Sequence, residues 1–308
     1  MSNRYAYFRG EIVPLAEAKI GVMNHTFNYG TGVFEGIRGY WNEDEGQLYL
    51  FRMRDHYERL ERSCRILTMS LPKSIDELCD ITLEVVRRSG HREDCYVRPL
   101  VYKESELVGV RLHSLADGFL IYTSPFGAYL PPDRGIRCHI STWRRIDDNA
   151  IPARAKVTGL YVNSALTKSE AMENGYDEGI VLTNEGHVSE GSAENIFLVE
   201  KNTLITPPVS DNILVGITRN TVMQLAKEEF GIETIERVID RTELYVADEV
   251  LLTGSAAEVT PVVEIDRRKV GNGQVGPIAA KLQALYSKLI RGKVSKYKEW
   301  CTPVYPVE

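Results

Sequence analysis

The sequence predicts an α/β protein with mixed sheets, divided into two domains. Its 308 residues are 43% hydrophobic and 26% charged, which is the balance of a globular chain able to bury a full core. Short apolar runs bounded by turn residues alternate with longer stretches of helical period. The segment Ser124–Pro132 is rich in turn formers and separates two such halves. We therefore expect a small N-terminal α/β domain over residues 1–122, an interdomain loop at 123–133 and a larger C-terminal domain over 134–308.

In the first half, apolar residues recur at three- and four-residue spacings over Arg54–Met69, the pattern of a helix that buries one face. A second helix is expected to begin at Ser74, where Glu77 completes a capping box, and to end before Gly90. The apolar runs around these helices predict three strands: Gln47–Arg52, Cys95–Tyr102 and Phe119–Thr123.

The second half combines a series of strands with three helices. Ile217–Phe230 carries an apolar stripe and is followed by Gly231, a residue type that commonly ends helices. The other two helices are expected between Lys156 and Met172 and over Pro277–Leu289. Six apolar runs predict strands: Ile136–Ser141, Gly179–Thr183, His187–Glu190, Asn195–Val199, Thr203–Thr206 and Glu249–Thr253.

Charge and residue usage exclude several classes of protein. With 37 Lys+Arg against 43 Asp+Glu the formal net charge is −6, so we expect no general attraction to nucleic acid or to anionic membranes. No apolar stretch is long enough to span a bilayer, and the first residues lack the apolar core of a signal peptide. The five cysteines are odd in number and form no C-x-x-C pair, and the six histidines are scattered. These features predict a cytoplasmic protein with neither a metal site nor a disulfide framework.

One glycine pattern suggests a different function. Residues 271–276 match G-x-G-x-x-G, follow a plausible strand and precede a helix, as in dinucleotide-binding enzymes. A dinucleotide-binding unit also requires a further strand after that helix, ending in an acidic residue that holds the ribose. Here the chain continues into a Lys-rich tail instead. A dinucleotide-dependent oxidoreductase is therefore a distant alternative, and a glycine-rich turn ahead of Pro277 is favoured.

Two turns rich in small and hydroxyl-bearing residues are candidate phosphate sites. Gly216 precedes Ile217 and Thr218 at the start of a predicted helix, where N–H groups and the positive end of the dipole attract anions. Thr218 is expected to cap this helix and to donate its hydroxyl to a phosphate oxygen. The second turn begins at Gly254 and Ser255, after an apolar strand. Either turn alone is weak evidence because many helices begin with Gly-x-Thr, but the two together favour a bound phosphate.

Two charged residues lie in settings that are unusual for surface charges. Lys156 is surrounded by small and apolar residues, where the ammonium form is disfavoured and the amine can act as a nucleophile that forms a Schiff base. Glu190 lies at the end of a predicted strand among small residues, where a carboxylate can keep a proton on a pyridine nitrogen. From these residues alone, a solvated lysine and an exposed turn remain the alternatives.

Taken together, these segments resemble the fold-type IV pyridoxal-phosphate (PLP) enzymes, and among them the branched-chain-amino-acid transaminases. The resemblance covers nearly the whole chain and implies the two-domain fold of that family, with pyridoxal 5'-phosphate held by the C-terminal domain. It rests on six motifs that occur in the order of the family: Asn28–Arg38, Tyr96–Leu100, Pro125–Tyr129, Ala155–Lys156, Ser189–Asn195 and Gly254–Pro261.

The resemblance implies a role for each matched residue. Lys156 would hold the cofactor as an internal aldimine and serve both as nucleophile and as general acid and base. Glu190 would pair with the ring nitrogen of the cofactor, and Tyr161 with its phenolic oxygen. The implied phosphate contacts are Arg54, Ile217, Thr218 and Ser255. The implied substrate contacts are Tyr29, Phe34, Arg38, Tyr96, Arg98, Val110, Phe126 and Tyr129, together with the turn of Ser255, Ala256 and Ala257.

The reaction implied by the resemblance is transamination of leucine, isoleucine and valine, with 2-oxoglutarate as the amino acceptor. The aromatic and aliphatic pocket suits branched side chains, and Arg98 would receive the second carboxylate of glutamate. In the family, Tyr29 and Val110 reach the pocket from the neighbouring subunit, which implies a homodimer or a higher homo-oligomer. The expected partners are small amino acids and 2-oxo acids.

Three departures from the family pattern concern the range of substrates. Ser255 keeps the hydroxyl of the usual threonine, and Phe126 stands where many bacterial relatives carry tryptophan, which enlarges the pocket. Arg111 is unexpected in its loop and is either a solvated charge or a second carboxylate contact. A broader transaminase that accepts (R)-amines or D-amino acids is therefore the alternative within the family.

Overall fold

A computed structural model describes residues 4–131 and 134–306 of the chain. These residues form two compact units, each with its own mixture of strands and helices, so the predicted α/β class is confirmed. The first unit contains the described residues up to Gly127, together with Ala155–Gly159 and the described residues from Lys288 onward. The second contains the described residues of Ala128–Arg154 and Leu160–Ser287.

These boundaries differ from the expected ones in two places. The short segment around Lys156 and the C-terminal tail belong to the first unit, although the sequence placed both in the C-terminal domain. Of the expected interdomain loop, residues 132 and 133 lie outside the described part of the chain. The tail joins the first unit through backbone pairing, since Val304 N–H donates to the carbonyl of Leu48 at 2.9 Å.

Regular secondary structure accounts for most of both units. Six α-helices occur in the described residues: α1 (His25–Tyr29), α2 (Met53–Ile66), α3 (Ile75–Ser89), α4 (Tyr161–Glu173), α5 (Ile217–Phe230) and α6 (Pro277–Leu289). Seventeen strands occur there: β1 (Tyr5–Phe8), β2 (Glu11–Pro14), β3 (Gly32–Phe34), β4 (Ile37–Asn42), β5 (Gln47–Phe51), β6 (Cys95–Lys103), β7 (Asp117–Pro125), β8 (Ile136–Arg144), β9 (Glu178–Leu182), β10 (Val188–Gly191), β11 (Asn195–Glu200), β12 (Thr203–Thr206), β13 (Thr234–Glu236), β14 (Glu249–Gly254), β15 (Glu258–Ile265), β16 (Arg268–Lys269) and β17 (Cys301–Pro303).

The first unit is built on an antiparallel sheet. Its strand order is β17-β5-β4-β6-β7-β1-β2, and β3 pairs with β6 beside this path. Helices α2 and α3 contact each other through the hydroxyls of Tyr57 and Thr82, 2.5 Å apart in a buried setting. The capping box of Ser74 and Glu77 that begins α3 is present as predicted, and Gly90 ends the helix in the left-handed conformation with φ 66°.

The second unit is built on a mixed sheet with the order β10-β9-β8-β15-β14-β11-β12-β13, and β16 pairs with β15. The pairs β8–β9, β8–β15 and β12–β13 are parallel, and the other pairs are antiparallel. Its core is aliphatic and includes Ile136, Ile180, Ile196, Leu252 and Ile265, all fully buried. Strands buried in this way carry continuous apolar runs, which explains why six strands of this unit were predicted from the sequence. Strands β13, β15 and β16 were not predicted.

The glycine pattern at residues 271–276 forms a turn. Gly271 and Gly273 have φ values of 53° and 81°, which side chains other than glycine rarely adopt. Helix α6 follows, and the carboxylate of Glu249 accepts the N–H groups of Ile278 and Ala279 at 3.0 and 2.8 Å. A carboxylate thus already occupies the anion-binding end of this helix. This arrangement excludes a pyrophosphate there and argues against the dinucleotide alternative.

Among residues 4–131 and 134–306, none of the helices has the length and apolar character needed to cross a membrane. The same residues contain no cluster of three or more His, Cys, Asp or Glu side chains that could hold a metal ion. All five cysteines lie in the described part of the chain, and all are free thiols.

Candidate active site

The Lys156 segment is held in the first unit by its backbone. The N–H of Phe34 donates to the carbonyl of Lys156 at 3.0 Å, and the N–H of Lys156 donates to the hydroxyl of Ser63 at 3.3 Å. The side chain is half-buried, and its Nζ lies 5.1 Å from the centre of the Phe34 ring. Because groups of β3 and α2 fix the backbone on both sides, the root of the lysine side chain has a defined position.

The Phe34 ring next to Lys156 also contacts Arg98, which in turn binds Tyr96. The guanidinium of Arg98 lies 4.1 Å from the centre of the Phe34 ring, and it donates to the hydroxyl of Tyr96 from Nη2 at 2.8 Å and from Nε at 3.1 Å. The ring of Phe126 lies 5.5 Å from that of Tyr96. The structure thus places Lys156, Phe34, Tyr96, Arg98 and Phe126 in one unit, whereas the sequence assigned Lys156 to the C-terminal domain.

Arg38 packs against Phe126 and binds its backbone. It is 2% exposed, its guanidinium lies 4.7 Å from the centre of the Phe126 ring, and its Nη2 donates to the Phe126 carbonyl at 3.1 Å. Asp94 provides a carboxylate oxygen 3.9 Å away. These contacts give Arg38 a role in holding Phe126 in place.

A buried ionic cluster lies one turn away from Ser63. Arg59 donates to the carboxylate of Glu35 from Nε at 2.6 Å and from Nη2 at 2.8 Å, and His56 Nδ1 lies 2.6 Å from the same carboxylate. Burial by itself raises the pKa of Glu35, but Arg59 and His56 outweigh it and hold that pKa well below its usual range. Burial lowers the pKa of His56, opposed by Glu35 and reinforced by the positive charges of Arg59 and Lys156. His56 is therefore neutral and donates its Nδ1 proton to Glu35.

The structure differs from the expectation for Arg54. This side chain is 58% exposed and pairs with Asp76 on the outer surface of α2 and α3. Arg59, five residues later on the same helix, is the buried arginine, and it pairs with Glu35. The family resemblance assigned the phosphate contact to Arg54, and no role was predicted for Arg59.

We expect Arg59→Met and Arg54→Met to separate these two arginines. Arg59→Met leaves the carboxylate of Glu35 buried without its main partner, which should lower the free energy of unfolding by about 3–5 kcal/mol. Arg54→Met removes an exposed ion pair and should leave stability unchanged within error. Urea unfolding of both variants measures the difference. Equal and small effects would show that the Glu35 carboxylate does not depend on Arg59.

In the second unit, Glu190 is buried and fully engaged by polar groups. Its Oε1 lies 2.9 Å from Nη2 of Arg145, itself buried, and its Oε2 accepts the N–H of Leu214 at 3.0 Å. Asn195 Nδ2 donates to the carbonyl of Leu214 at 2.9 Å and lies 3.5 Å from the same Oε2. A buried carboxylate with a cation and an N–H donor is stabilised in its charged form.

The same residues position the start of helix α5. Asn195 also packs against Gly216, where an added Cβ would come within 2.0 Å of Asn195 Oδ1. Gly216 is the N-cap of α5, and Ile217 and Thr218 follow it in buried positions. The expected capping role of Thr218 is therefore wrong, since Thr218 lies inside the helix. With glycine as the cap, no side chain of that residue covers the first N–H groups of the helix.

The turn of Ser255, Ala256 and Ala257 connects β14 to β15 in the same unit. It starts two residues beyond Thr253, which pairs with Asn195 across the sheet. The next residue, Glu258, has a φ of 56°. The turn therefore follows the strand that pairs with Asn195, and it lies in the same unit as Glu190.

Glu194 is a further acid of this unit, and no role was predicted for it from the sequence. Burial, strengthened by the nearby carboxylate of Glu178, raises the pKa of Glu194 to about 8. Glu178 itself is paired with Lys168 at 2.7 Å. Burial beside a second carboxylate therefore favours the neutral form of Glu194.

The two predicted tyrosines of this unit also lie near the acidic cluster. Tyr129 is partly exposed, and the Nζ of Lys168 lies 5.1 Å from its ring centre. Burial, Glu194, Glu178 and Tyr161 all raise the pKa of Tyr129. The Tyr129 hydroxyl therefore remains protonated and can donate a hydrogen bond. Tyr161 is the first residue of α4 and is half-buried.

Tyr29 and Val110 occupy a different part of the first unit. Tyr29 ends α1, and its hydroxyl accepts the N–H of Gly109 at 3.1 Å. Val110 is 79% exposed in the loop that joins β6 to β7, and Arg111 beside it is exposed as well. An apolar side chain this exposed contributes nothing to the core of its own unit.

Residues 32–265 match the family model of the class IV amino-transferases. This match spans most of the chain, from the Phe34 strand to the end of β15. The protein therefore belongs to the class IV aminotransferase family, whose cofactor is pyridoxal phosphate.

Within this family, the chain is similar to several proteins named branched-chain aminotransferases. A probable branched-chain-amino-acid aminotransferase of Aquifex aeolicus is 53% identical over 99% of this chain and 98% of its own length. The PLP form of the branched-chain aminotransferase of Thermobaculum terrenum superposes with a TM-score of 0.94, at 39% identity over 99% of this chain and all of that one. The branched-chain aminotransferase of Thermoproteus uzoniensis with norvaline superposes with a TM-score of 0.93, at 44% identity over 98% of this chain and 99% of that one.

Proposed function

We propose that this protein is a PLP-dependent branched-chain-amino-acid aminotransferase that uses 2-oxoglutarate as amino acceptor. The observation that carries the proposal is the presence of two firmly held groups in one chain: the backbone-fixed Lys156 and the buried, ion-paired carboxylate of Glu190. Two relatives support the proposal. The Aquifex aeolicus protein is named a probable branched-chain-amino-acid aminotransferase. A branched-chain aminotransferase that is 38% identical to this chain binds N-(5'-phosphopyridoxyl)-L-glutamate, an adduct of the cofactor with glutamate.

The residues of the second unit fit the cofactor. Glu190 supplies a charged carboxylate that would hold a proton on the ring nitrogen, and Arg145 keeps that carboxylate ionised. The start of α5 after Gly216 supplies backbone N–H groups of the kind that bind phosphate. Ser255 adds a hydroxyl on the nearby turn, and Tyr161 adds a phenol for the ring oxygen. In place of the exposed Arg54, we propose Arg59 as the arginine that supports the anionic part of the cofactor.

Each residue then has a task in the reaction. When bound, PLP supplies an electron sink that stabilises the carbanion formed at the substrate Cα. Lys156 would hold the cofactor covalently at rest. Once the amino group of the substrate has displaced it, the free amine of Lys156 would move a proton between the substrate Cα and the C4′ carbon, acting as base and acid in turn. Glu190 keeps the ring nitrogen protonated throughout. Phe34, Tyr96 and Phe126 exclude water from the side chain of the substrate.

The arrangement of Arg98 supports dual substrate recognition. A pocket that accepts leucine must not leave a cation buried without partners, which would cost several kcal/mol. Arg98 meets this condition because it retains the Tyr96 hydroxyl and the Phe34 ring as partners. With glutamate or 2-oxoglutarate bound, the same guanidinium can pair with the second carboxylate.

We expect Arg98→Met to weaken the half-reaction with glutamate or 2-oxoglutarate by about tenfold or more, because a charge-assisted hydrogen bond is lost. The half-reaction with leucine should change by less than about threefold. Mixing the PLP form with single L-amino acids, D-amino acids and (R)-amines, and following the cofactor absorbance, measures both. Arg111→Ala is the comparison, and a smaller loss for glutamate there would assign Arg111 an assisting role.

The outcome of the same survey decides the substrate class. Fast reaction with leucine, isoleucine and valine supports the proposal, and preference for D-amino acids or (R)-amines would replace it with the broader alternative. Equal losses for leucine and glutamate in Arg98→Met would mean that Arg98 serves the α-carboxylate or the fold.

We further propose a homodimer as the minimum assembly. Four exposed apolar side chains cluster on α1, the segment before it and the loop after β6, since Asn24 and Glu106 form a β-bridge between these segments. Large exposed apolar groups of this kind mark protein interfaces. A second copy is the occupant that would give Tyr29 and Val110 a substrate contact, and light scattering measures the assembly. The four side chains are Val22, Phe27, Val108 and Val110, each at least 69% exposed.

The proposed location is the cytoplasm. The five cysteines are free thiols, as is usual in a reducing compartment. Burial also raises the pKa of Cys64, Cys95 and Cys301, which keeps these thiols unreactive.

A further inference from the structure

The loop that joins β6 to β7, residues 104–116, is long and carries two exposed residues of interest: Val110, a predicted substrate contact, and Arg111, for which a solvated charge and a carboxylate contact were both left open. Its base is closed by the N–H of Glu104, which donates to the carbonyl of Ala116 at 2.8 Å. Loops of this length are usually functional, and they need fixed points along their course if their side chains are to have defined positions. In this loop, the fixed point near the tip is Gly109.

Both polar groups of the Gly109 residue are bound by α1. Its N–H donates to the hydroxyl of Tyr29 at 3.1 Å, and its carbonyl lies 2.7 Å from Nε2 of His25. A carbonyl can only accept, so Nε2 of His25 carries the proton. Gly109 has a φ of 146°, a conformation that side-chain-bearing residues rarely adopt. Glycine therefore occupies the position where the backbone directs both its N–H and its carbonyl toward α1.

His25 is itself held rigidly. It is fully buried, its ring centre lies 4.7 Å from that of Tyr29, and its Nδ1 lies 2.7 Å from the hydroxyl of Thr31. With the proton on Nε2 directed at Gly109 and Nδ1 paired with the Thr31 hydroxyl, both ring nitrogens are satisfied. The backbone N–H of His25 also donates to the carbonyl of Ser105 at 3.0 Å.

The other end of α1 contacts the Lys156 segment. Gly30 ends the helix, and its carbonyl accepts the N–H of Gly159 at 3.1 Å and the hydroxyl of Thr158 at 2.7 Å. Thr158 and Gly159 follow Lys156 by two and three residues. One short helix therefore connects the loop that bears Val110 and Arg111 to the backbone of the lysine segment.

We propose that His25 is a positioning residue that clamps the Gly109 peptide and thereby sets the place of Val110 and Arg111 for substrate selection. The clamp acts on the loop and leaves the chemistry at Lys156 to other groups. The claim that this clamp affects substrate selection rests on the proposed function. The clamp itself rests only on hydrogen bonds within the first unit.

The test compares the PLP-loaded wild-type protein with His25→Ala, His25→Gln and His113→Ala. We expect His25→Ala to raise amide hydrogen exchange across residues 104–116 by about tenfold, the effect of one lost hydrogen bond, with exchange in α3 unchanged. KM for leucine should rise about fivefold or more while kcat stays within about twofold. His25→Gln keeps a donor for Gly109 and should recover most of the protection. His113→Ala, an exposed change in the same loop, should match the wild type.

Unchanged exchange in residues 104–116 of His25→Ala, or an equal rise in α3, would overturn the proposal. If His25→Ala does not fold, Gly109→Ala tests the clamp from the loop side and should raise both exchange and KM. Wild-type levels of both in that variant would also overturn it. A wild-type protein that does not transaminate branched-chain amino acids would contradict the proposed function, and the exchange measurements would still decide whether the clamp exists.

Discussion

Lys156→Ala is expected to lower the rate of transamination by more than about a thousandfold while the protein still folds. The loss combines the covalent role of the amine with its role as acid and base at the substrate Cα. Folding should survive because the contacts that hold this segment are made by the backbone: the carbonyl accepts from Phe34, and the N–H donates to Ser63. Alanine retains both.

Two measurements check this expectation. Steady-state turnover gives the loss of rate, with Lys201→Ala as a matched control because that lysine is 89% exposed. Borohydride reduction of the PLP-loaded wild type, followed by peptide mass analysis, should place the cofactor on the peptide containing residue 156. Attachment to another lysine, or near-normal turnover of Lys156→Ala, would contradict the assignment.

Glu190→Gln is expected to bind PLP but to react roughly a hundredfold more slowly, the effect typical of losing one preorganised electrostatic contact. Glutamine is nearly isosteric and its oxygen can still accept the N–H of Leu214, but it has no charge to keep the ring nitrogen protonated. Arg145 loses its ionic partner in the same change, and it retains the carbonyl of Asn212 at 2.8 Å.

The rate should be measured together with thermal unfolding, so that a loss of stability from Arg145 is separated from a loss of rate. Glu185→Gln is the control, since Glu185 is exposed on the turn before β10. If Glu190→Gln keeps the full rate with intact PLP binding, the carboxylate does not act on the ring nitrogen.

The signals that point to the proposed site are local along the chain. Lys156 among small residues, the small-residue run after Glu190 and the Gly216–Thr218 turn are each readable within a few positions. Their combination in order along the chain identified the family. The strands of the second unit were predictable for a similar reason: they are buried on both faces and therefore appear as continuous apolar runs.

Packing decided which arginine of α2 turns inward. The apolar residues Tyr57, Leu60 and Cys64 define one stripe, and helical period places Arg54 and Arg59 both well outside it. Arg59 is buried because Glu35, from a distant segment, supplies a carboxylate on a second side of the helix. Glu35 lies 24 residues before Arg59, so the sequence of the helix contains no pattern that indicates this pairing.

The sequence by itself thus determined the class of fold and most of the helices, and it pointed to the lysine and the carboxylate that we propose for the site. Tertiary structure alone decided that the tail returns to pair β17 with β5, that Glu249 closes the start of α6, and that Gly109 is bound by α1. The physical reason is the same in each case. Secondary structure follows from neighbours along the chain, whereas these contacts satisfy buried or turned-in polar groups with partners far away in sequence, and only the folded chain brings such partners within hydrogen-bond distance.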